Sequence, residues 1–336
     1  MNLYPWLKPL LFQLDPETAH HLTLEALNLA RLSRLPLFPP PPAGKPVTVM
    51  GLNFPNRLGL AAGLDKNGDY LDALGALGFG GIEIGTVTPR PQPGNPKPRL
   101  FRLPEQQAII NRMGFNNLGL EHLLENVRRR HYTGILGINI GKNADTPIQN
   151  AAADYLTGLR KAYPYADYIT VNISSPNTQN LRQLQQSSEL KSLLEALKNE
   201  QLRLQTQHGR RTPLAVKIAP DLSDPEIAQI AELLLEYEIE AVIAANTTLR
   251  RDKVQNHPLA NQAGGLSGRP LKTQADHVVN VLAQTLQGKI PIIAAGGVLS
   301  AADAKDKLAA GASLVQIYSG LIYRGPELIH EILAEC

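Results

Sequence analysis

The 336-residue sequence contains one cysteine, Cys336, at its last position. Disulfides, four-cysteine zinc sites and cysteine-bound iron–sulfur clusters within one chain are therefore excluded, as is a cysteine nucleophile in the core. This scarcity predicts a protein that is made and kept in a reducing compartment.

Charge of one sign is also scarce, since 33 basic and 30 acidic residues leave a net charge of +3. Aromatic residues amount to 5%, and no basic stretch alternates with them, so nucleic acid is not an expected partner. No run approaches 18 apolar residues, and the first 20 residues lack a cleavable signal pattern. The sequence therefore predicts neither a membrane-spanning segment nor a secretory signal.

The sequence does contain enough apolar residues, 43%, to bury a large core. From about residue 57 onward, β-rich runs alternate with amphipathic stretches, such as 189–204 and 224–237, eight times. The predicted strands are 57–63, 81–87, 134–141, 168–174, 213–219, 241–247, 290–298 and 314–320. Most are continuously apolar, which is typical of parallel strands buried on both faces.

Eight such repeats with short connections predict an α/β fold, a closed (β/α)8 TIM barrel. The alternative is a doubly wound sheet. That fold has fewer strands and a glycine-rich turn after the first one, and residues 61–65 match such a turn poorly.

Two segments lie outside the repeat. Residues 88–118 form a long insertion after the second strand, rich in proline and glycine, and we expect it to arch over the barrel mouth. Residues 1–46 precede the first strand. Within them, one helix is predicted by the spacing of Leu7, Leu10, Leu11 and Leu14, a second over 17–32, and a stiff linker by the prolines at 39–42. Periodicity alone leaves open whether these helices only pack on the barrel or have a function of their own.

Polar residues close several of the predicted strands at the end where barrel enzymes carry their catalytic groups. They are Thr86, Asn139, Asn172, Lys217, Asn246, Thr247, Tyr318 and Ser319. Buried polar groups need partners, so a set of them at one rim indicates a site. Gly296-Gly297 and Ser319-Gly320 follow the last two strands, where many barrels bind phosphate through backbone N–H groups, and a third glycine-rich stretch spans 264–268.

The side chains near this rim suggest the kind of substrate. Asparagines donate and accept hydrogen bonds at once, which suits a planar ring with alternating N–H and C=O groups; the candidates are Asn111, Asn172, Asn177 and Asn246. Lys66 can neutralise an acid group of the ligand, whereas Lys217 belongs either to the site or to a structural ion pair. No histidine lies on a predicted strand, which removes the commonest general base. The remaining candidate is the serine pair in 172–178, although serines before Pro-Asn also favour a simple turn.

These residues belong to strings that resemble one enzyme family over essentially the whole chain. The strings are GLAAGLDKNG (59–68), EIGTVTPRPQPGN (83–95), NRMGFNN (111–117), NISSPNT (172–178), GGLSGRPL (264–271) and LVQIYSG (314–320). On them, the chain is identified as a member of the dihydroorotate dehydrogenase family and resembles its quinone-dependent, membrane-associated class (class 2) of Gram-negative bacteria.

The resemblance implies FMN as cofactor and the oxidation of (S)-dihydroorotate to orotate in pyrimidine (UMP) biosynthesis, with a membrane quinone as final acceptor. It implies that Ser175 removes the C5 proton while a hydride passes from C6 to flavin N5, and that Thr178 or a water chain carries the proton onward. The soluble classes have cysteine where Ser175 stands, and no iron–sulfur partner subunit is implied.

The resemblance also implies two sets of binding residues. For the substrate they are Lys66, Asn111, Arg112, Met113, Gly114, Phe115, Asn172, Asn177, Asn246 and Thr247. For FMN they are Ala62, Gly63, Leu64, Asp65, Lys66, Thr86, Asn139, Asn172, Lys217, Ala245, Gly268, Gly297, Tyr318 and Ser319. Lys217, near the flavin N1 edge, is implied to stabilise the anion formed on reduction. No metal is implied.

The same resemblance divides the chain into a helical extension, 1–46, and an FMN-binding barrel, 47–336. It implies that the extension lies on the membrane at the cytoplasmic face of the inner membrane and forms a quinone tunnel to the flavin. Since the extension contributes none of the strand-end residues, we expect the dihydroorotate half-reaction to be independent of it.

The sequence departs from the family pattern at two places. Ala245 stands where relatives usually have threonine, which removes a hydroxyl contact to the flavin. Gln179-Asn180 stand where relatives commonly have Pro-Gly, which affects how the Ser175 loop opens. Two other readings of the site are an aldolase with Lys217 as a Schiff-base lysine and a flavin-binding sensor without turnover.

Overall fold

The computed structural model describes residues 4–33 and 40–336, so Pro39 of the predicted linker lies outside the described residues. Along these residues the helices and strands follow one another in a fixed order. They are α1 (Tyr4–Leu11), α2 (Pro16–Leu32), β1 (Val47–Val49), β2 (Leu52–Phe54), β3 (Leu58–Leu60), α3 (Leu71–Gly75), β4 (Gly81–Val87), β5 (Leu100–Leu103), β6 (Ala108–Asn111), α4 (Gly119–Arg129), β7 (Ile135–Ile140), α5 (Ala151–Ala162), β8 (Tyr168–Asn172), α6 (Ser187–His208), β9 (Leu214–Ile218), α7 (Asp224–Glu236), β10 (Ala241–Ala244), β11 (Gly265–Gly268), α8 (Lys272–Leu286), β12 (Ile292–Ala295), α9 (Ala301–Ala309), β13 (Leu314–Ile317), α10 (Ser319–Arg324) and α11 (Glu327–Glu335).

Eight of these strands form a closed parallel barrel in chain order: β3, β4, β7, β8, β9, β10, β12 and β13. The barrel closes where β13 pairs with β3, with Gln316 opposite Gly59. Most strand residues are buried, because side chains on one face fill the barrel and those on the other pack under the helices. The predicted (β/α)8 barrel is confirmed.

The strands end earlier than the sequence predicts. β10 ends at Ala244 rather than at residue 247, and β13 ends at Ile317, two residues before Ser319 begins α10. The apolar runs continue past the last paired residue into the loops that line the mouth. Hydrophobicity alone therefore predicts strands that are longer than the paired ones. The polar residues assigned to strand ends at 246–247 and 318–319 therefore lie on loops or at a helix start.

A hairpin that the sequence analysis missed closes the lower end of the barrel. β1 and β2 pair with each other, and Val49 and Phe54 pack with Tyr168, Ile243 and Leu314 from the barrel strands. This apolar plug leaves the opposite end, where the strands finish, as the end available to ligands.

The insertion 88–118 contains the antiparallel strands β5 and β6. β11, from the loop after β10, adds a third strand by pairing with β6, so that Gly265 lies opposite Asn111. Asn111 and Gly268 both line the cavity described below, which places this small sheet over the mouth, as expected.

The two predicted N-terminal helices are present as α1 and α2. α2 starts at an Asp15 cap, whose carboxylate accepts from the backbone N–H groups of Glu17 and Thr18. Large apolar side chains of this segment face solvent, and Trp6 is 82% exposed; the others are Leu7, Leu10, Leu14, Leu22, Leu29 and Leu32. In the described ranges, every helix is too short or too polar to cross a membrane.

Candidate active site

One cavity opens at the end of the barrel where the strands finish, with about 1030 Å³ of space free of protein atoms including its mouth. Nineteen of the predicted site residues line it. They are Ala62, Gly63, Lys66, Thr86, Asn111, Met113, Gly114, Phe115, Asn172, Ser175, Asn177, Lys217, Ala245, Asn246, Thr247, Gly268, Gly297, Tyr318 and Ser319.

Four predicted site residues do not line the cavity. Leu64 is buried in the core. Asp65 accepts hydrogen bonds from four successive backbone N–H groups, residues 67–70, and burial raises the pKa of its carboxyl group to about 6. The Arg112 guanidinium donates to Gln262 Oε1 (2.9 Å) and to Pro98 O (2.8 Å). Asn139, the fourth, lies in the barrel interior below Thr86.

A buried carboxylate that the sequence analysis missed lies beneath the cavity. Glu83 is 1% exposed and accepts from Asn139 Nδ2 (2.7 Å), Tyr168 OH (3.0 Å) and Gln316 Nε2 (2.9 Å). Three donors satisfy a charge that would otherwise be costly to bury. The available signal was a lone acidic residue in the middle of a strand that is apolar on both sides.

Hydrogen bonds run from Glu83 up to the substrate asparagines. The Thr86 hydroxyl donates to Asn139 Oδ1 at 2.6 Å, and Thr86 Oγ1 in turn accepts from Asn172 Nδ2 at 2.9 Å. Asn172 Oδ1 then accepts from the Ser174 hydroxyl (3.0 Å), and Ser174 Oγ accepts from Asn246 Nδ2 (3.0 Å). Because an ionised carboxylate only accepts hydrogen bonds, Glu83 sets the direction of every bond in this chain.

Two lysines line the cavity, the buried Lys217 and the half-buried Lys66, and neither ammonium group has a hydrogen-bond partner among residues 4–33 and 40–336. Burial lowers the pKa of Lys217, while the nearby charge of Glu83 opposes that shift. Burial also lowers the pKa of Lys66, to about 8. Since buried cations normally have partners, the cavity is built for ligands that carry negative charge.

The loop after β8 brings Ser175 to the cavity. Its Oγ accepts from Asn177 N (3.2 Å), so the hydroxyl proton is free to be donated. Thr178 Oγ1 is fully buried three residues further on, without a partner in the described part of the chain. Asn177 also donates from Nδ2 to Asn111 Oδ1 (3.2 Å), which joins this loop to β6.

The far side of the cavity is lined by backbone. Gly296 and Gly297 both have positive φ, 103° and 76°, and a Cβ on Gly297 would come within 2.4 Å of Lys272 Cα. Only glycine therefore lets this turn lie against the start of α8. Across from it, Ser267 and Ser319 share a hydrogen bond of 2.8 Å at the start of α10, whose first N–H groups have no intrahelical acceptor. This arrangement suits a phosphate group.

Three other lining residues, Ser267, Gly296 and Gly320, lie in the glycine-rich stretches that the sequence analysis named but were not assigned to a ligand. The remaining ones were not predicted as site residues; they are Ala61, Leu271, Ala295, Val298, Gln316 and Ile317. The polar side chains of both groups, Ser267 and Gln316, had a detectable signal, since each is a polar side chain on a buried strand. The apolar ones could not be distinguished in the sequence from ordinary core residues.

Known proteins resemble this chain over nearly its full length. The family model described as dihydroorotate dehydrogenase matches residues 46–336. Relatives named dihydroorotate dehydrogenase (quinone) from Chromobacterium violaceum and Nitrosomonas eutropha are 64% and 62% identical; each alignment covers 98% of this chain and 96% of the relative.

A crystal structure of DHODH in complex with ferulenol from Eimeria tenella superposes with a TM-score of 0.87 at 39% identity, covering 96% of this chain and 90% of that one. The barrel, the cavity at its mouth and these likenesses agree, and the chain belongs to the dihydroorotate dehydrogenase family.

Proposed function

We propose that this protein oxidises (S)-dihydroorotate to orotate with FMN as cofactor and a quinone as final electron acceptor, a step of pyrimidine biosynthesis. The observation that carries the proposal is the cavity itself, where two lysines without a hydrogen-bond partner in the described residues, a ring of asparagines and a glycine-lined turn converge. The family and the named relatives support the same activity.

The cavity fits FMN on its own evidence. The turn at Gly296-Gly297 and the start of α10 suit the phosphate, and the unpaired ammonium group of Lys217 suits a flavin ring that gains negative charge on reduction. When bound, FMN supplies the acceptor for the hydride that leaves dihydroorotate. Lys217, Thr86 and Ala245, which line the cavity, would hold the ring, whereas Leu64, Asp65 and Asn139 would act on the cofactor only through their neighbours.

The substrate lies between the asparagines and the Ser175 loop. Lys66 neutralises its carboxylate, and the donors and acceptors of its ring are matched by Asn111, Asn172, Asn177 and Asn246. The buried Thr247 hydroxyl, which has no partner within the described ranges, joins them. Of the substrate residues that the family resemblance implies at 112–115, Met113, Gly114 and Phe115 line the cavity. Arg112 lies outside it and holds this segment through the hydrogen bonds of its guanidinium group.

Ser175 is the base of the reaction. Its Oγ takes the C5 proton, which the adjacent carbonyl acidifies, and the hydroxyl passes its own proton onward. Thr178 or a water chain carries it away, and the support for Thr178 is its buried Oγ1, which lies in the same loop and lacks a partner in the described part of the chain. No histidine lines the cavity in the described residues, so Ser175 does not compete with an imidazole for the role of general base there.

The N-terminal extension, 1–46, gives quinone access and attaches the protein peripherally to the cytoplasmic face of the membrane. The support is a set of exposed apolar side chains on α1 and α2, with Trp6 and Lys8 beside them, a composition suited to a lipid–water interface. The barrel, 47–336, carries the flavin and the dihydroorotate half-reaction.

Anaerobic reduction of the flavin tests the function. The purified protein should be yellow, and dihydroorotate added under nitrogen should bleach it; a long-tailed quinone should then restore the colour. A colourless protein that forms a Schiff base on Lys217 would support an aldolase instead. A yellow protein that dihydroorotate does not bleach would support a flavin-binding sensor.

A further inference from the structure

The second N-terminal helix forms a buried ion pair with the insertion over the barrel mouth. Arg99 donates from Nε to Glu17 Oε2 (3.1 Å) and from Nη2 to Glu17 Oε1 (2.7 Å), and both side chains are only 7% exposed. Lys97 also approaches Glu17, at 3.5 Å, but its side chain is 67% exposed and such a contact contributes little. The bidentate pair therefore holds α2 to the insertion.

The same guanidinium fixes the turn that precedes β5. Its Nη1 donates to Pro93 O (2.6 Å) and to Asn95 O (2.9 Å), and Arg99 O accepts from Arg112 N (2.8 Å). All four side-chain hydrogen bonds of Arg99 are thus committed, two to α2 and two to this turn. Loss of Glu17 would leave a buried cation without its counter-charge, and the turn would have to rearrange around it.

Asn95 connects that turn to the substrate loops. Its Nδ2 donates to Arg112 O (2.9 Å) and to Asn177 O (3.3 Å), and its backbone N–H donates to Met113 O (3.1 Å). Asn177 in turn contacts Asn111. A continuous series of hydrogen bonds therefore runs from Glu17 on α2 to two asparagines that line the cavity.

The pair also acts on Lys66 through its charge. Glu17 raises the pKa of Lys66 and Arg99 lowers it, so the two charges oppose each other at this buried ammonium group. Without the Glu17 carboxylate, only Asp65 would oppose the Arg99 cation, and the protonated Lys66 that binds the substrate acid group would be less favoured.

We propose that Glu17 and Arg99 are positioning residues for dihydroorotate, so that α2 supports substrate binding as well as quinone access. This inference rests on the proposed function, because it takes Asn111, Asn177 and Lys66 as the residues that hold the substrate. It adds that the extension and the dihydroorotate site are coupled through Asn95.

The test compares Glu17→Gln with Glu25→Gln, the same substitution on the same helix. Glu25 also joins α2 to the barrel, by accepting from Tyr70 OH (2.6 Å), but that bond leads to no substrate residue. Stopped-flow reduction of the flavin at varied dihydroorotate concentration gives the dissociation constant and the limiting rate separately. Glu17→Gln should weaken dihydroorotate binding about 5–150-fold, the range expected for coupled sites, with a smaller change in the limiting rate.

Asn95→Ala is the second variant, because it breaks the connection to Asn177 and leaves the ion pair of Glu17 and Arg99 in place. It should weaken dihydroorotate binding in the same way. If Glu17→Gln does not fold, the inference is tested by Asn95→Ala. Glu25→Gln should bind dihydroorotate as the wild type does. Wild-type affinity in folded, flavin-loaded Glu17→Gln or Asn95→Ala would overturn the inference, as would an equal loss in Glu25→Gln. If dihydroorotate does not reduce the wild-type flavin at all, the proposed function fails instead.

Discussion

Ser175 is a weak base in water, so its role depends on what surrounds it. Its Oγ accepts from Asn177 N, and the unpartnered hydroxyl of Thr178 lies in the same buried loop of the described structure. Ser175→Ala should keep FMN bound but slow flavin reduction by roughly 10²–10⁴, the usual loss for a general base. Stopped-flow measurement under nitrogen checks this, with flavin content as the control. A reduction rate equal to that of the wild type would remove Ser175 from the mechanism.

Lys217 places a positive charge under the flavin site, and its ammonium group has no partner within the described ranges. Lys217→Met removes that charge while keeping much of the side-chain volume. If the lost contact contributes about 1.5–3 kcal/mol to the reduced flavin anion, the two-electron midpoint potential should fall by about 30–65 mV. Spectroscopic titration of flavin-replete variant protein measures it. An unchanged potential would mean that Lys217 serves packing or FMN affinity alone.

Lys66 should make ligand binding depend on pH. Its pKa is lowered to about 8, so the ammonium is protonated below pH 8 and neutral above it. The charged groups that act on it are Glu17 from α2, Arg99 from the insertion, and the adjacent Asp65; His20 on α2 is neutral in this range, because burial and the Lys66 charge lower its pKa to about 3. Orotate, which carries a carboxylate, should therefore bind more weakly as the pH rises through about 8. Titration of the flavin spectrum with orotate from pH 6.5 to 9.5 checks this, and Lys66→Gln should show weak binding without that dependence.

At the residue scale, the sequence predicted best the side chains that break an apolar run at its end. Asn172 and Lys217 were found this way, because a polar group at the close of a buried strand needs a functional reason. Glu83 was overlooked in the middle of a strand, although the same reasoning applies to it. Arg99 could not be found, because nothing in the local sequence indicates that Glu17, 82 residues away, is its partner.

At the element scale, the barrel could be predicted because its strands and helices each have a local pattern of apolar residues that indicates their type. The insertion could not be predicted beyond its position over the mouth. Its strand β6 pairs with β11, about 155 residues later, and such non-local pairing leaves no periodic signal in either segment. The β1–β2 hairpin was missed for another reason, since its strands have three residues each and are shorter than any periodic pattern.

These two elements decide how the barrel is used. The hairpin fills one end with Val49 and Phe54, and the insertion narrows the other end with Asn111. A cofactor and a substrate must therefore share the single mouth that remains. The insertion also receives Glu17 from α2, so the part of the chain that covers the substrate is the part that contacts the extension.

At the scale of the whole molecule, the sequence predicts an extension and a barrel, and the ion pair of Glu17 with Arg99 is one of the contacts that join them. A truncation tests how far the two depend on each other, and it should begin at residue 40, because Pro41 packs over Gly78 of the barrel. The protein 40–336 should stay folded and yellow, leave the membrane fraction, and lose reoxidation by a long-tailed quinone while a small soluble acceptor still works. Dihydroorotate should still reduce its flavin but bind more weakly, as in Glu17→Gln, since Arg99 has lost the same partner. Flavin content of the soluble fraction is the control for folding.

Two results would contradict this prediction for the truncated protein. Full-rate turnover with long-tailed quinone would show that the extension only packs on the barrel. Wild-type affinity for dihydroorotate would show that the extension and the substrate site are independent.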